Sequence, residues 1–216
     1  MKKLLTAALA GAAALTCAFA FTACGGNEET SYTVTAEEWE TAITSLYDCK
    51  HSVEASSTFV GGEADNYLYH YQYDNANKAM KLTIDYTAEA NSAYTMYFWV
   101  TAEGKYYQYL DGEGKEEIEK EAYETVAMSY TGNGLPYALA EDKDAYANAT
   151  YDETSKEYKG TSNQGRDSFT YTLKFENKKL VKLSAEISNL SITVEYKYEN
   201  ISVTITDEIK NLPVNE

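Results

Sequence analysis

The chain has 216 residues, 34 of them acidic and 18 basic, for a formal net charge of −16. An acidic surplus of this size repels phosphate backbones and excludes a nucleic-acid partner; its plain use is solubility. Two histidines and three cysteines, with no HExxH, CxxC, GxSxG or Gly-rich phosphate loop, leave the familiar catalytic and cofactor chemistries without their residues, so neither an enzyme nor a cofactor protein is expected.

Met1-Lys2-Lys3 and the uncharged, Ala- and Leu-rich run from Leu4 to Ala23 have the order of a positive n-region and an apolar h-region. The run ends at Phe21-Thr22-Ala23-Cys24-Gly25-Gly26, which resembles the lipobox of bacterial lipoproteins: apolar at minus three, small at minus two and minus one, then the cysteine. Phe21 stands where that family usually has Leu. The resemblance implies that Cys24 is acylated, becomes the N-terminus, and holds the protein on the outer face of the cell membrane. Cleavage after Ala18-Phe19-Ala20, acylation at Cys17 and an uncleaved span are the alternatives, the last because the run approaches the ~20 residues of a membrane helix. Its Ala and Gly content and the Ala-Cys-Gly-Gly ending argue for cleavage.

Removing residues 1–23 leaves 193, which suits one domain of ordinary size, and the loss of Lys2 and Lys3 takes the formal charge to −18. Residues 24–33 then form a lipidated tether and 34–216 a single β domain. Cys49 is left without a partner for an internal disulfide and reads as a small buried residue near a helix end.

Folding is expected to start at Val34-Thr35-Ala36-Glu37-Glu38-Trp39, where Thr35 and Glu38 form a capping box and Val34 and Trp39 a hydrophobic staple. Trp39, Ala42, Ile43 and Leu46 give one apolar stripe on a helix from Ala36 to Tyr47. Period-two alternation then predicts strands over 51–60, 67–73, 80–86, 93–101 and 105–110, joined by turns short enough for hairpins. Ile118, Ala122 and Val126 fit a helix over Lys115–Ser129, ended by Gly132-Asn133-Gly134-Leu135-Pro136, with a second short helix over Tyr137–Ala145. Strands resume over 146–151, 157–160, 168–176, 179–187 and 190–196, and Ile201, Val203 and Ile205 close the series.

The expected fold class is mainly β (α+β): a curved antiparallel sheet or half-barrel of about ten strands, with the N-terminal and mid-chain helices covering its concave face. That order behind a lipobox resembles the lipoprotein-carrier class typified by LolA, LolB and the LppX-like lipoproteins. The resemblance, over Val34 to Pro213, is one of element order and carries no motif; the only arginine, Arg166, sits in a Gly-flanked turn. It implies a binding or carrier function for a lipid or other hydrophobic ligand between sheet and helices. Trp39, Tyr69, Tyr71, Leu82, Ile84, Met96, Phe98, Tyr171, Leu173, Ile192 and Val194 are the candidate lining residues, or else a dry core.

The 21 tyrosines, against 6 phenylalanines, suit strands and half-exposed surfaces. A sharper reading makes Tyr67, Tyr69, Tyr71, Tyr73, Tyr97, Trp99, Tyr106 and Tyr107 an aromatic platform for a glycan or a protein; a structural envelope role is the third reading. No metal is expected, because Asp111-x-Glu113 and Glu141-Asp142-x-Asp144 fall short of an EF-hand loop. The expected partners are the membrane, through the anchor, and an apolar small molecule, with the chain a monomer.

Overall fold

The computed structural model describes residues 30–61, 67–86, 93–163 and 168–215. The signal segment with Cys17, the acylation site Cys24, and Arg166 lie outside the described residues. The first element forms as its caps dictate. The Glu38 amide donates to the Thr35 hydroxyl at 3.2 Å and the Thr35 amide to the Glu38 carboxylate at 2.9 Å, which starts α1 (Ala36–Thr44). The helix stops three residues short of the expected Tyr47 and buries Trp39, Ala42 and Ile43.

Six strands follow: β1 (Val53–Gly61), β2 (Tyr67–Asp74), β3 (Ala79–Tyr86), β4 (Tyr94–Val100), β5 (Tyr106–Leu110) and β6 (Gly114–Ile118). Helices α2 (Lys120–Tyr130), α3 (Leu135–Glu141) and α4 (Ala145–Asn148) interrupt the series. It continues as β7 (Thr150–Asp152), β8 (Glu157–Ser162), β9 (Phe169–Glu176), β10 (Lys179–Ile187) and β11 (Leu190–Lys197), and a single-turn α5 (Asp207–Lys210) follows. All eleven strands pair antiparallel in one open, curved sheet, in the order β6-β5-β4-β3-β2-β1-β11-β10-β9-β8-β7.

This order explains the position of the helices. Strands β6 and β7 are successive in the chain yet occupy opposite edges, so the segment between them must travel the width of the sheet. Its helices do so on one face, where Tyr123, Ala127, Leu135, Leu139 and Ala145 join Phe59, Tyr71, Leu82, Leu173, Ile192 and Val194 in one continuous core. The two meanders meet at β1 and β11, which pair from Glu54↔Lys197 to Gly61↔Leu190.

Four further expected elements differ. The helix over Lys115–Ser129 divides, because Asp111–Gly114 forms a tight turn, with Gly112 at φ +83° and Gly114 at φ +102°, that returns Lys115–Ile118 to pair with β5 as β6. The second helix begins at Leu135, since Pro136 occupies a first-turn position where its missing N–H costs nothing, and residues 146–148 of the next expected strand are helical. Ile201–Ile205 joins no ladder. Its alternation arises from lying extended on the outer face of the sheet, with Val203 and Ile205 buried against Ala79 and Trp99.

This C-terminal strap is fastened at both ends. Asp74, 3 % exposed, accepts hydrogen bonds from the Val203 amide (3.1 Å), the Ala76 and Asn77 amides and the Asn77 side chain. Burial pushes the Asp74 carboxyl up, but these donors together hold it below the usual carboxylate range. Further on, the Lys115 ammonium donates to the carbonyls of Lys210 (2.7 Å) and Leu212 (3.1 Å), and Val214 bridges Lys115 in parallel. Asp74→Ala strands the buried Val203 amide and unties the turn at Ala76 and Asn77, and is expected to cost about 2 kcal/mol. Urea unfolding measures the loss, and faster hydrogen exchange at Val203 locates it in the strap.

At the centre of the outer face Glu54 ties three strands together. It pairs with Lys197 on β11 at 2.9 Å, accepts from Gln72 on β2 at 2.9 Å, and lies 3.6 Å from His70. The Lys197 hydrogen bond is the main reason its carboxyl is held below the usual range, while burial opposes it. A lowered folded pKa means that this stabilisation is present above the usual carboxylate range and is lost as pH falls through the folded value. Glu54→Gln is therefore expected to lower stability by about 1 kcal/mol near neutral pH. The gap to the parent protein should close in acid, as read by chemical unfolding across pH.

Candidate functional site

Ten of the eleven residues expected to line a ligand chamber lie on one face of the sheet, and the eleventh, Trp39, packs onto that face from α1. Strand pairing sets Tyr71 beside Leu82 and Leu82 beside Met96, and it sets Val194 beside Leu183 and Leu183 beside Leu173. Nine of them, Trp39, Tyr71, Leu82, Ile84, Phe98, Tyr171, Leu173, Ile192 and Val194, are buried against one another and against the helices. Tyr69 and Met96 are half-buried at the margin. Trp39 shows how closed the packing is: its ring meets Phe175 at 5.3 Å, Tyr158 at 5.4 Å and Tyr146 at 5.5 Å, the last two edge-on.

Tyrosine rather than phenylalanine is used here because a strand must also hold the segments that cross it. The hydroxyl of Tyr73 donates to the Cys49 carbonyl, Tyr123 to Lys78, Tyr171 to Ala145 and Tyr196 to Thr131, at 2.7 to 3.0 Å. Tyr146 and Tyr158 both reach the Val34 carbonyl ahead of α1, and the Tyr158 oxygen also accepts from the Val34 amide. Each ring fills the core while its hydroxyl satisfies a carbonyl in a connecting segment. Gly132, at φ +135°, sits so close to the Tyr196 hydroxyl that an added Cβ would lie 3.0 Å from it. Two buried hydroxyls on the covered face, Ser57 Oγ and that of Tyr71, have no partner among the described residues.

The covered face opens at one end. Beyond the C-terminus of α2, Phe59, Tyr67, Tyr69, Tyr86, Tyr94 and Tyr130 form an aromatic cluster in which only Phe59 is fully buried. Phe59 stacks on Tyr67 at 4.3 Å, Tyr67 and Tyr69 lie 5.0 Å apart, Tyr130 meets Tyr69 edge-on at 5.5 Å, and Tyr86 is 6.2 Å from Tyr94. Rings and their hydroxyls gather here, Tyr67 beside Tyr69 and Tyr94 beside Tyr86. Burial, then the neighbouring Tyr86 hydroxyl, pushes the Tyr94 phenol up to about 12, and burial raises Tyr67 and Tyr69 as well, so these three phenols stay neutral. Apolar ring faces beside neutral hydroxyls suit an amphipathic ligand. Sequence spacing brings forward Tyr67 and Tyr69; Phe59, Tyr86, Tyr94 and Tyr130 join them only through β1–β2–β3–β4 pairing and the reach of α2.

The proposed aromatic platform is not one surface. Tyr67, Tyr69, Tyr71, Tyr73 and Tyr106 point to the covered face, Tyr71 and Tyr73 deep within it, whereas Tyr97, Trp99 and Tyr107 lie on the outer face with Trp99 buried beside the strap. Alternation along β5 sends its neighbouring tyrosines, Tyr106 and Tyr107, to opposite sides.

Groups able to do chemistry are dispersed. Cys49 is half-buried, and burial, followed by the nearby Glu124 and Asp48, raises its thiol to about 11, the opposite of a nucleophile's requirement. His51 and His70 have 62 % and 44 % of their side chains exposed, each beside one carboxylate. Among the described residues no three His, Cys, Asp or Glu side chains gather as metal ligands. No protein-family model matches the chain, and no curated protein matches it.

The strut role makes a sharp contrast. Tyr196→Phe leaves the buried Thr131 carbonyl unpaired and is expected to cost about 1–2 kcal/mol, whereas Tyr69→Phe, at the open end, should cost under about 0.5 kcal/mol. Paired thermal melts of the two variants check this.

Proposed function

We propose that the protein is a membrane-anchored extracytoplasmic binding lipoprotein, non-catalytic and monomeric. Its sheet serves as a half-barrel whose open, tyrosine-lined end takes a lipid or other hydrophobic ligand. The observation that carries the reading is the cluster of Tyr67, Tyr69, Tyr86, Tyr94 and Tyr130 around Phe59, partly exposed where the helices stop. Exposed aromatic surface costs solubility unless something covers it, and a soluble, strongly acidic chain that keeps such a patch supports a binding role for it. The lipobox resemblance supplies the address, and the order of strands and helices agrees with a carrier class. The closed packing of Tyr71, Leu82, Leu173 and Val194 favours a ligand seated at the mouth over one swallowed into the interior.

Native mass spectrometry of protein purified without detergent is expected to show a bound apolar adduct. The neutral aromatic probe N-phenyl-1-naphthylamine should bind with enhanced fluorescence. Tyr69→Ala combined with Tyr94→Ala should weaken probe binding by about tenfold or more, as loss of two stacking rings implies. A clean apo mass together with no probe binding would sink the reading.

A second reading draws on the outer face, where the half-buried rings of Tyr97 and Tyr109 lie 6.5 Å apart and Tyr107 stacks on Trp99 at 5.5 Å. Recognition of a glycan or a protein belongs there. Glycan binding by an apo-mass protein, abolished by Tyr97→Ala with Tyr109→Ala, would favour it over the carrier.

A further inference from the structure

We propose that the end of the molecule carrying the β9–β10 turn faces the membrane, and that a basic groove there holds the headgroup of an anionic phospholipid. The inference rests on the reading of Cys24 as the acylated anchor, and it begins with where the tether leaves the folded body. The Ser31 amide donates to the Asn177 side chain at 3.1 Å and the Asn177 amide donates back to the Ser31 carbonyl at 2.8 Å. The chain is thereby pinned to the β9–β10 turn. Cys24 lies seven residues before Ser31, so the covalent chain cannot put it more than about 25 Å from that turn. An acyl chain on Cys24 would hold this end at the bilayer surface.

The same end carries a groove of about 500 Å³ between the last turn of α1, the approach to β1, the β2–β3 turn and the β9–β10 turn. Its walls include Lys50, His51, Lys178 and Lys179, with Ser45, Ser52 and Asn75 as polar neighbours and Ala42 and Tyr198 as the apolar part. Among the described residues no carboxylate lines it, in a chain whose acidic residues outnumber the basic ones nearly two to one. The described carboxylates paired with these side chains from adjoining elements are Glu38 on α1, 2.7 Å from Lys178, and Asp48, 3.5 Å from His51. Lys50 and Lys179 keep their charge unpaired by any acid among the described residues, the Lys179 ammonium lying 5.1 Å from the centre of the Tyr198 ring. The Tyr198 hydroxyl is already committed to the Leu180 carbonyl at 2.6 Å, so its ring stands as fixed apolar wall.

A phosphodiester headgroup fits these features: it is anionic, it accepts from lysines and hydroxyls, and it lies at the depth where a tethered body meets the bilayer. The overall charge repels an anionic surface, which makes the local inversion of sign informative. A lysine close to such a surface is worth about a fivefold gain in binding. Two unpaired lysines at the tethered end would orient the body, turning the tyrosine-lined opening at the opposite end of β1 and β2 away from the bilayer.

The test is co-sedimentation of the mature-length chain, residues 24–216 with Cys24→Ser, its strand content confirmed by circular dichroism. The vesicles are phosphatidylcholine alone or phosphatidylcholine with about 30 mol % phosphatidylglycerol. Binding is expected only to the anionic vesicles, falling about 25-fold in Lys50→Gln/Lys179→Gln. It should be little changed in Lys81→Gln/Lys182→Gln, which removes equal charge from the outer face. No binding, equal binding to both vesicles, or equal loss in both variants overturns the proposal. Displacement by inorganic phosphate at constant ionic strength also overturns it, in favour of a free-anion site. Acylation plays no part in this assay; the anchor is tested separately, by whether Cys24→Ala frees the protein into the medium.

Discussion

The antiparallel pairing of β1 with β11 is the constraint from which the rest of the architecture follows. It joins two local meanders, one running outward from β1 to β6 and one inward from β7 to β11, across most of the length of the chain. Once that seam is closed, β6 and β7 must lie at opposite edges and their connection must cross the sheet. The crossing segment becomes the cover of the apolar face, so helices that look like an interruption in sequence are the second layer of the fold. The seam carries alternating apolar contacts below and the Glu54, Lys197, Gln72 and His70 group above, so the strands with the largest sequence separation have support on both faces.

The tyrosines divide the labour of holding that layer. In the deep core their rings supply the burial a phenylalanine would give, and their hydroxyls reach carbonyls in the segments that pass over the sheet. Unlike α1, the covering helices α2, α3 and α4, of 11, 7 and 4 residues, have no side-chain cap hydrogen bond. Tyr196 on the Thr131 carbonyl and Tyr171 on the Ala145 carbonyl fasten them from below instead. At the other end of β1 and β2 the same residue type stands half-buried, ring beside ring, with no strut to a connecting segment among the hydrogen bonds of the deep core.

The outer face is organised differently. The strap from Ile201 to Asn215 lies over β3 to β6 and meets the edge strand β6 at Lys115, which limits the unpaired edge there. With Asp74 at its start and Lys115 near its end, two buried charged side chains hold it by hydrogen bonds to its backbone, a way to fix an extended segment that forms no ladder.

The amino-acid sequence by itself determined much of this. Its capping box at Thr35 and Glu38, the alternation in β1 to β5 and β9 to β11, and the mainly β class all rest on interactions within a few residues of one another. The ten strand residues among the candidates were legible as one apolar face, and Trp39 as part of a helical stripe, for the same reason. Only tertiary structure decided that Lys115–Ile118 pairs as β6, since a hairpin partner outweighs a helical stripe, and that Val203 and Ile205 alternate against a sheet rather than within one. It also decided that Tyr71, Leu82, Leu173 and Val194 are fully buried against their neighbours and that Phe59, Tyr86, Tyr94 and Tyr130 gather around Tyr67 and Tyr69. Packing density and the gathering of side chains from four separate elements depend on distances across the fold, and no local pattern encodes those distances.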